Sequence, residues 1–130
     1  MMELTIKGKV YQFNFGMGFM REINKKISRS LNAEIPDAKK NVGLQFAVAG
    51  IIDNDLETLV EVLDIANKDQ TPRVTMKLLE HYIDNECEDI DALFAEVLDF
   101  FKSANATKKV TAAVLEMVEE EKAKAEQGEN

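Results

Sequence analysis

Between Glu3 and Phe15, apolar and polar residues alternate in two short runs around Lys7-Gly8, and this pattern constrains the fold more than any other stretch. A period of two puts every second side chain on the same face of a strand. Glycine in the second place of a two-residue turn suits the positive φ of a type I′ hairpin. With Lys7 and Gly8 as the turn, Leu4 faces Tyr11 and Ile6 faces Lys9, so Leu4, Ile6, Tyr11 and Phe13 gather on one side. A lone hairpin is marginal in water. The remaining chain therefore has to cover that side.

The spacing of apolar residues predicts that the cover is helical. Gly16-Met17-Gly18 ends the second strand, and Met20, Ile23, Ile27 and Leu31 then recur at helical spacing with Arg21, Lys25 and Arg29 on the opposite side. Asn32 to Asn41, with Pro36, reads as a loop. Val42 to Ile52 is apolar enough for a buried helix or a buried strand; its alanines and length favour helix, whereas Gly43 and Gly50 weaken it. Asp53-Asn54-Asp55 offers capping oxygens to a helix through Leu56, Leu59, Val60, Leu63 and Ala66. Thr71-Pro72 reads as the next helix start, with Val74, Leu78 and Tyr82 as its stripe, joined by Leu79 and Ile83. A further helix runs from about Asp89 to Ser103 through Ile90, Leu93, Phe94, Val97, Leu98 and Phe101. The last begins near Thr107 and carries Val110, Val114, Leu115 and Val118.

These elements predict an α+β fold, mainly α: an amino-terminal β-hairpin packed on a bundle of about five or six helices. Residues 1–118 form the expected single globular domain, and the charged residues 119–130 are expected to fray. Asp55-Leu56-Glu57-Thr58-Leu59 and Asp89-Ile90-Asp91-Ala92-Leu93 resemble each other. Two helices with the same cap and stripe requirements converge on such strings without forming a repeat array.

Composition narrows the function. One cysteine, Cys87, excludes an internal disulfide and fits a reducing compartment. Charges near the amino terminus interrupt what a signal peptide needs as an apolar run, and Phe46 to Ile52 is too short to span a bilayer, so neither secretion nor a membrane is expected. The net charge of −8 opposes attraction to nucleic acid and to anionic lipid. It is unevenly spread: residues 1–40 hold eight basic and four acidic side chains, residues 41–130 eight and twenty. Opposite charges segregated in this way suggest a homo-oligomer in which Arg21, Lys25 and Arg29 dock on Glu80, Asp84 and Glu88 of a neighbouring copy.

Motifs for chemistry are incomplete. Gly16-Met17-Gly18-Phe19-Met20-Arg21 has a dinucleotide-like glycine pair, but Arg21 stands where a third small residue belongs and no parallel strand follows. Asp84, Glu86 and Glu88 begin like a calcium loop, yet Asp89 replaces its glycine and Ala95 its bidentate Glu; Asp53, Asp55 and Glu57 fail similarly at Thr58. His81 and Cys87 are too few for a zinc site and fall on different faces of a continuous helix. The basic side chains Arg21, Lys25, Lys26 and Arg29 near Tyr11 and Phe13 would support only weak, salt-sensitive binding to nucleic acid. Catalytic, cofactor-binding and metal residues are therefore all assigned as none.

The order of elements carries a resemblance. A short hairpin leads into Phe15-Gly16-Met17-Gly18-Phe19-Met20-Arg21-Glu22-Ile23-Asn24; then come Asp55-Leu56-Glu57-Thr58-Leu59, Thr71-Pro72-Arg73-Val74-Thr75, Tyr82-Ile83-Asp84 and Asp89 to Leu98. From about Glu3 to Asn105 the chain resembles the tail assembly chaperones of long-tailed phages and prophages of Gram-positive bacteria. The resemblance implies a non-enzymatic protein of the bacterial host cytoplasm that keeps the tape measure protein soluble and helps recruit tail tube proteins. It also implies a longer form made by ribosomal frameshifting near the end of the gene. Three alternatives from other classes remain: a phage connector or tail completion protein, an acidic DNA-mimic inhibitor, and a small enzyme, which would need a pocket of convergent polar groups for which the sequence gives no positive sign.

The incomplete ligand patterns predict that folding needs no metal or nucleotide. Thermal unfolding should be unchanged by chelator, calcium, zinc or common nucleotides. A clear rise in melting temperature at ligand concentrations far above any plausible dissociation constant would contradict this.

Overall fold

A computed structural model describes residues 1–30 and 41–128, with side chains described except at 27–30 and 127–128. Among these residues two strands, β1 (Met2–Ile6) and β2 (Lys9–Phe13), precede six helices: α1 (Met17–Ser30), α2 (Val42–Ile52), α3 (Leu56–Asn67), α4 (Met76–His81), α5 (Ile90–Ser103) and α6 (Lys108–Gly128). A π-helical turn, Tyr82–Glu86, extends α4. The expected α+β, mainly helical architecture is the one found. Ile27, Arg29 and Leu31 as side chains, and the loop expected over residues 32–40, lie outside what is described.

The hairpin has the expected register. Lys7 (φ 50°) and Gly8 (φ 79°) form its turn, Leu4 pairs with Tyr11, and Ile6 pairs with Lys9. Leu4, Ile6, Tyr11 and Phe13 are buried, and Met2 joins them on the same face. Helix α3 supplies part of the cover: the amide of Asn14 donates to the carbonyl of Ala66 at 2.8 Å. Phe15 then turns the chain inward. Its ring meets Phe19 edge-on at 5.3 Å and Phe101 at 5.5 Å, joining the hairpin exit to α1 and α5. The buried side of α1 is thus Phe19 and Ile23, with Met20 only half-buried, so the stripe predicted from Met20 is rotated toward the aromatic cluster.

Helix α2 is the central helix and touches α1, α3, α5 and α6. Leu44, Ala47, Val48 and Ile51 are its buried side chains. Asn41 precedes it in a left-handed conformation and offers no side-chain cap. Asn24 of α1 supplies one instead, its Oδ1 accepting from the Leu44 amide at 2.9 Å. That exchange is possible because the two helices cross almost backbone to backbone: a Cβ on Gly43 would lie 2.3 Å from the Ile23 carbonyl oxygen. The glycine that weakens α2 as an isolated helix is what seats it in the bundle.

Asp55 caps α3, accepting from the Glu57 amide at 3.3 Å and from the Thr58 hydroxyl at 2.8 Å. Asp89 caps α5 in the same way, accepting from the Ala92 amide at 3.1 Å, which accounts for the two similar strings. Leu56, expected in the core, is exposed, while Val62 and Ile65 are buried; α3 is enclosed on a wider arc than one stripe.

The predicted helix start at Thr71-Pro72 is also corrected. Helix α4 begins at Met76 with Thr75 as its cap, the Thr75 hydroxyl oxygen accepting from the Leu78 amide at 3.1 Å. The reason is that the backbone before it has another partner. Buried Asn67 donates to the carbonyls of Gln12 (2.9 Å) and Pro72 (3.1 Å) and accepts from the Val74 amide (2.6 Å), holding residues 72–74 out of the helix. At the start of α6, the hydroxyl of Thr107, just before the helix, donates to the Phe101 carbonyl and that of Thr111 to the Thr107 carbonyl, both at 2.8 Å. Val114 is buried beside them, and residues 119–126 continue the helix exposed to solvent.

Gly43→Ala should destabilise the protein by about 2–3 kcal/mol, because the added methyl meets backbone that cannot step aside. Helix propensity alone predicts a gain of roughly 1 kcal/mol for the same change. Urea denaturation distinguishes the two signs, and a stabilised variant would contradict the close crossing.

Candidate interaction surface

Several residues singled out for chemistry have structural partners. The Gly16 carbonyl accepts from the Met20 amide at 3.0 Å and so opens α1, and the sheet beside it holds only the two antiparallel strands among the described residues. Asp55 serves as a cap. Glu86 reaches across to the hairpin turn, where its carboxylate accepts from the Lys7 amide at 3.0 Å and 3.3 Å. His81 lies beside that contact, its Nε2 3.3 Å from Glu86 Oε1 and its Nδ1 3.2 Å from Asn85 Nδ2. No group of three or more His, Cys, Asp or Glu is placed to hold a metal among the described residues.

Cys87 follows the π-helical turn, half-buried, with its amide donating to the Tyr82 carbonyl at 2.7 Å. Burial, then the neighbouring Cys87, Glu96 and Glu86, push the Tyr82 phenol above its usual value and keep it neutral. His81 and Cys87 therefore belong to the strut that fixes the hairpin turn against the end of α4. The π-helical turn changes the expected continuous helix, but it pairs His81 with Glu86 and Cys87 with Tyr82.

The charged residues assigned to self-association are spread over three elements. Arg21 and Lys25 are exposed on α1, and Lys25 lies 3.8 Å from Glu22. Glu80 is exposed on α4, Asp84 in the π-helical turn, and Glu88 just before α5. Nearby cations have partners within the chain: Lys26 is 3.3 Å from Glu61, and Lys68 is 2.9 Å from Glu22.

Apolar surface is a different matter, because composition and periodicity do not reveal where a nearly all-apolar helix emerges. Phe46, in the middle of α2, is 55 % exposed. It borders a groove of about 420 Å³ between α2 and α3, with Ala49, Gly50 and Val62 along it and Asp53, Asp55 and Glu61 among its lining. A second notch, about 300 Å³, lies between the hairpin exit and the end of α5, lined by Met1, Phe15, Met17, Phe100 and Ala106. Met1 and Met17 are exposed there. Both hollows are shallow and mostly apolar, suited to contact with another protein.

A family model described as phage tail assembly chaperone protein, TAC, matches residues 3–116. The chain belongs to this family. The match takes in the hairpin, all of α1 to α5 and the first part of α6. Similarity is found neither to a curated protein nor to a solved structure. No helix among the described residues is long and apolar enough to cross a membrane.

Removing the Glu86 carboxylate should loosen the hairpin. Glu86→Ala is expected to cost about 1.5 kcal/mol, the low end for hydrogen bonds to a charged group because the side chain is partly solvated. Amide exchange at Lys7 should accelerate. Unchanged exchange at Lys7 would contradict its anchoring role.

Proposed function

We propose that this family member is a non-enzymatic chaperone that keeps the tape measure protein soluble and helps recruit tail tube subunits during phage tail morphogenesis. The match to the tail assembly chaperone family over residues 3–116 carries the reading. Physical chemistry supports it in two ways. A long, partly assembled partner displays apolar surface that aggregates unless it is covered, and this chain displays apolar side chains in shallow grooves. Its net charge of −8 keeps both it and a complex in solution. The place of action on this reading is the cytoplasm of the bacterial host, where tails are assembled.

Self-association belongs to the same proposal. Arg21, Lys25 and Arg29 dock on Glu80, Asp84 and Glu88 of a neighbouring copy, a head-to-tail contact that builds rings or short stacks around a rod-like partner. The exposure of Arg21, Lys25, Glu80, Asp84 and Glu88 supports it.

Co-production tests the chaperone role. A tape measure fragment made alone should be largely insoluble, whereas co-production with this chain should move it to the soluble fraction and let the two purify together. Cys87→Ala should leave that effect intact. A tape measure that stays insoluble, or this chain found as a stoichiometric part of mature particles, would contradict the role.

Sedimentation tests the contact between copies. Association at low ionic strength should be lost as salt is raised. A monomer at low salt and high protein concentration would exclude it.

A further inference from the structure

Among the described residues, helix α2 carries one stripe that its neighbours leave partly open. Phe46, Ala49, Gly50 and Asp53 follow the spacing of a single helical face, and none of them is buried. Leu44, Ala47, Val48 and Ile51, on the other side, are core. Across the groove stands α3 with Thr58, Glu61 and Val62. Gly50 lets α3 close on α2, since a Cβ there would lie 2.5 Å from Thr58 Oγ1, and the small Ala49 keeps the floor low beside the exposed Phe46 ring. Acidic side chains border the apolar strip: Asp53 and Asp55 in the α2–α3 connection, and Glu61 on α3.

We propose that this groove binds one amphipathic α-helix of a partner protein, with the partner's apolar stripe along Phe46 and Ala49 and its flanking Lys or Arg residues at Asp53, Asp55 and Glu61. Two helices side by side form ridges and a groove that a third helix can fill, and anchors repeating every three or four residues match the Phe46, Ala49 and Asp53 spacing. The rim decides the charge of the occupant. Glu61 is 3.3 Å from Lys26, but both side chains are close to half-exposed, so that pair is screened and an incoming cation can replace it at little cost. The notch by Met1 and Met17 lacks any carboxylate among its lining residues, so nothing there selects the charge of a partner.

A second copy of this chain suits the groove poorly. Its basic helix, α1, has Phe19 and Ile23 committed to its own core. The exposed end of α6 bears Glu119, Glu120 and Glu121, the wrong sign for this rim. The proposal rests on the chaperone reading only for the source of the partner helix; the groove's preference for apolar and basic side chains follows from its own residues.

The probe is a fluorescent synthetic amphipathic helix of leucine and lysine, compared with one of leucine and glutamate, titrated by anisotropy into the full chain. The lysine helix should bind and the glutamate helix should not. Phe46→Ser should weaken binding by about tenfold or more, as for truncation of a central aromatic anchor. Asp53→Asn combined with Glu61→Gln, both outside the core, should weaken it similarly while the circular dichroism spectrum is unchanged. Met117→Asp, at an exposed apolar position on α6, should have no effect. The proposal is overturned if the lysine helix does not bind, if Met117→Asp weakens binding as much as Phe46→Ser, or if the rim double variant binds normally. It is also overturned if Phe46→Ser turns an oligomer into a monomer, which would make the occupant a second copy. Co-production separates this proposal from the chaperone role. Phe46-dependent helix binding by a chain that leaves the tape measure insoluble would contradict the role and leave the groove standing. A tape measure kept soluble by a Phe46→Ser chain that no longer binds the helix would remove the groove from the role.

Discussion

The side chain of Asn67 is sealed from solvent and makes four hydrogen bonds, and the relation between the hairpin and the helices depends on it. Its two amide hydrogens go to the carbonyls of Gln12 and Pro72, while its oxygen accepts from the Val74 amide and from Arg73 at 3.1 Å. A buried amide whose donors and acceptor are all used is worth keeping, since losing one partner leaves a desolvated group costing about 1–3 kcal/mol. At the end of α3 this one residue ties β2, distant in sequence, to the approach to α4. Together with the bond from Asn14 to Ala66, it fixes the hairpin against α3, and this direction sends Phe15 into the rings of Phe19 and Phe101. Among the described residues no buried side-chain nitrogen or oxygen lacks a partner, so the polar interior is consistent throughout.

With the hairpin placed, α2 is enclosed by neighbouring helices yet not by a complete ring of them. Its backbone lies against α1 at Gly43, and its core side is filled by Leu44, Ala47, Val48 and Ile51. A helix apolar on every side cannot be wholly satisfied by contacts on part of its circumference. Phe46 is the residue left over. In a free-standing globular protein such a residue is a modest liability; on the proposed role it is where a partner is covered.

Local rules made much of this fold legible. Turn chemistry gave the hairpin its register through Lys7 and Gly8, and capping chemistry placed Asp55 and Asp89 at the starts of α3 and α5. What escaped was set by long-range partners. Thr71-Pro72 is a good local helix start, yet Asn67 takes up the backbone that follows it and moves the start to Met76. Gly43 looked like a weakness because its benefit lies in α1, and Asn24 caps α2 from across the same crossing. The groove was invisible for a related reason: in Val42 to Ile52 the exposed Phe46 and the buried Val48 are equally apolar, and only the neighbouring helices decide between them. The family, in contrast, was readable from the order and character of the elements over most of the chain.

On the proposed role, the protein acts by covering a partner with an apolar surface, without chemistry at His81 or Cys87. Amide hydrogen exchange on the purified complex with a tape measure fragment, compared with the free chain, tests it most directly. Binding at the groove predicts slower exchange across α2 and the first turns of α3, with the His81 to Cys87 segment unchanged. Protection confined to the His81 to Cys87 segment, or absent from every helix, would contradict it.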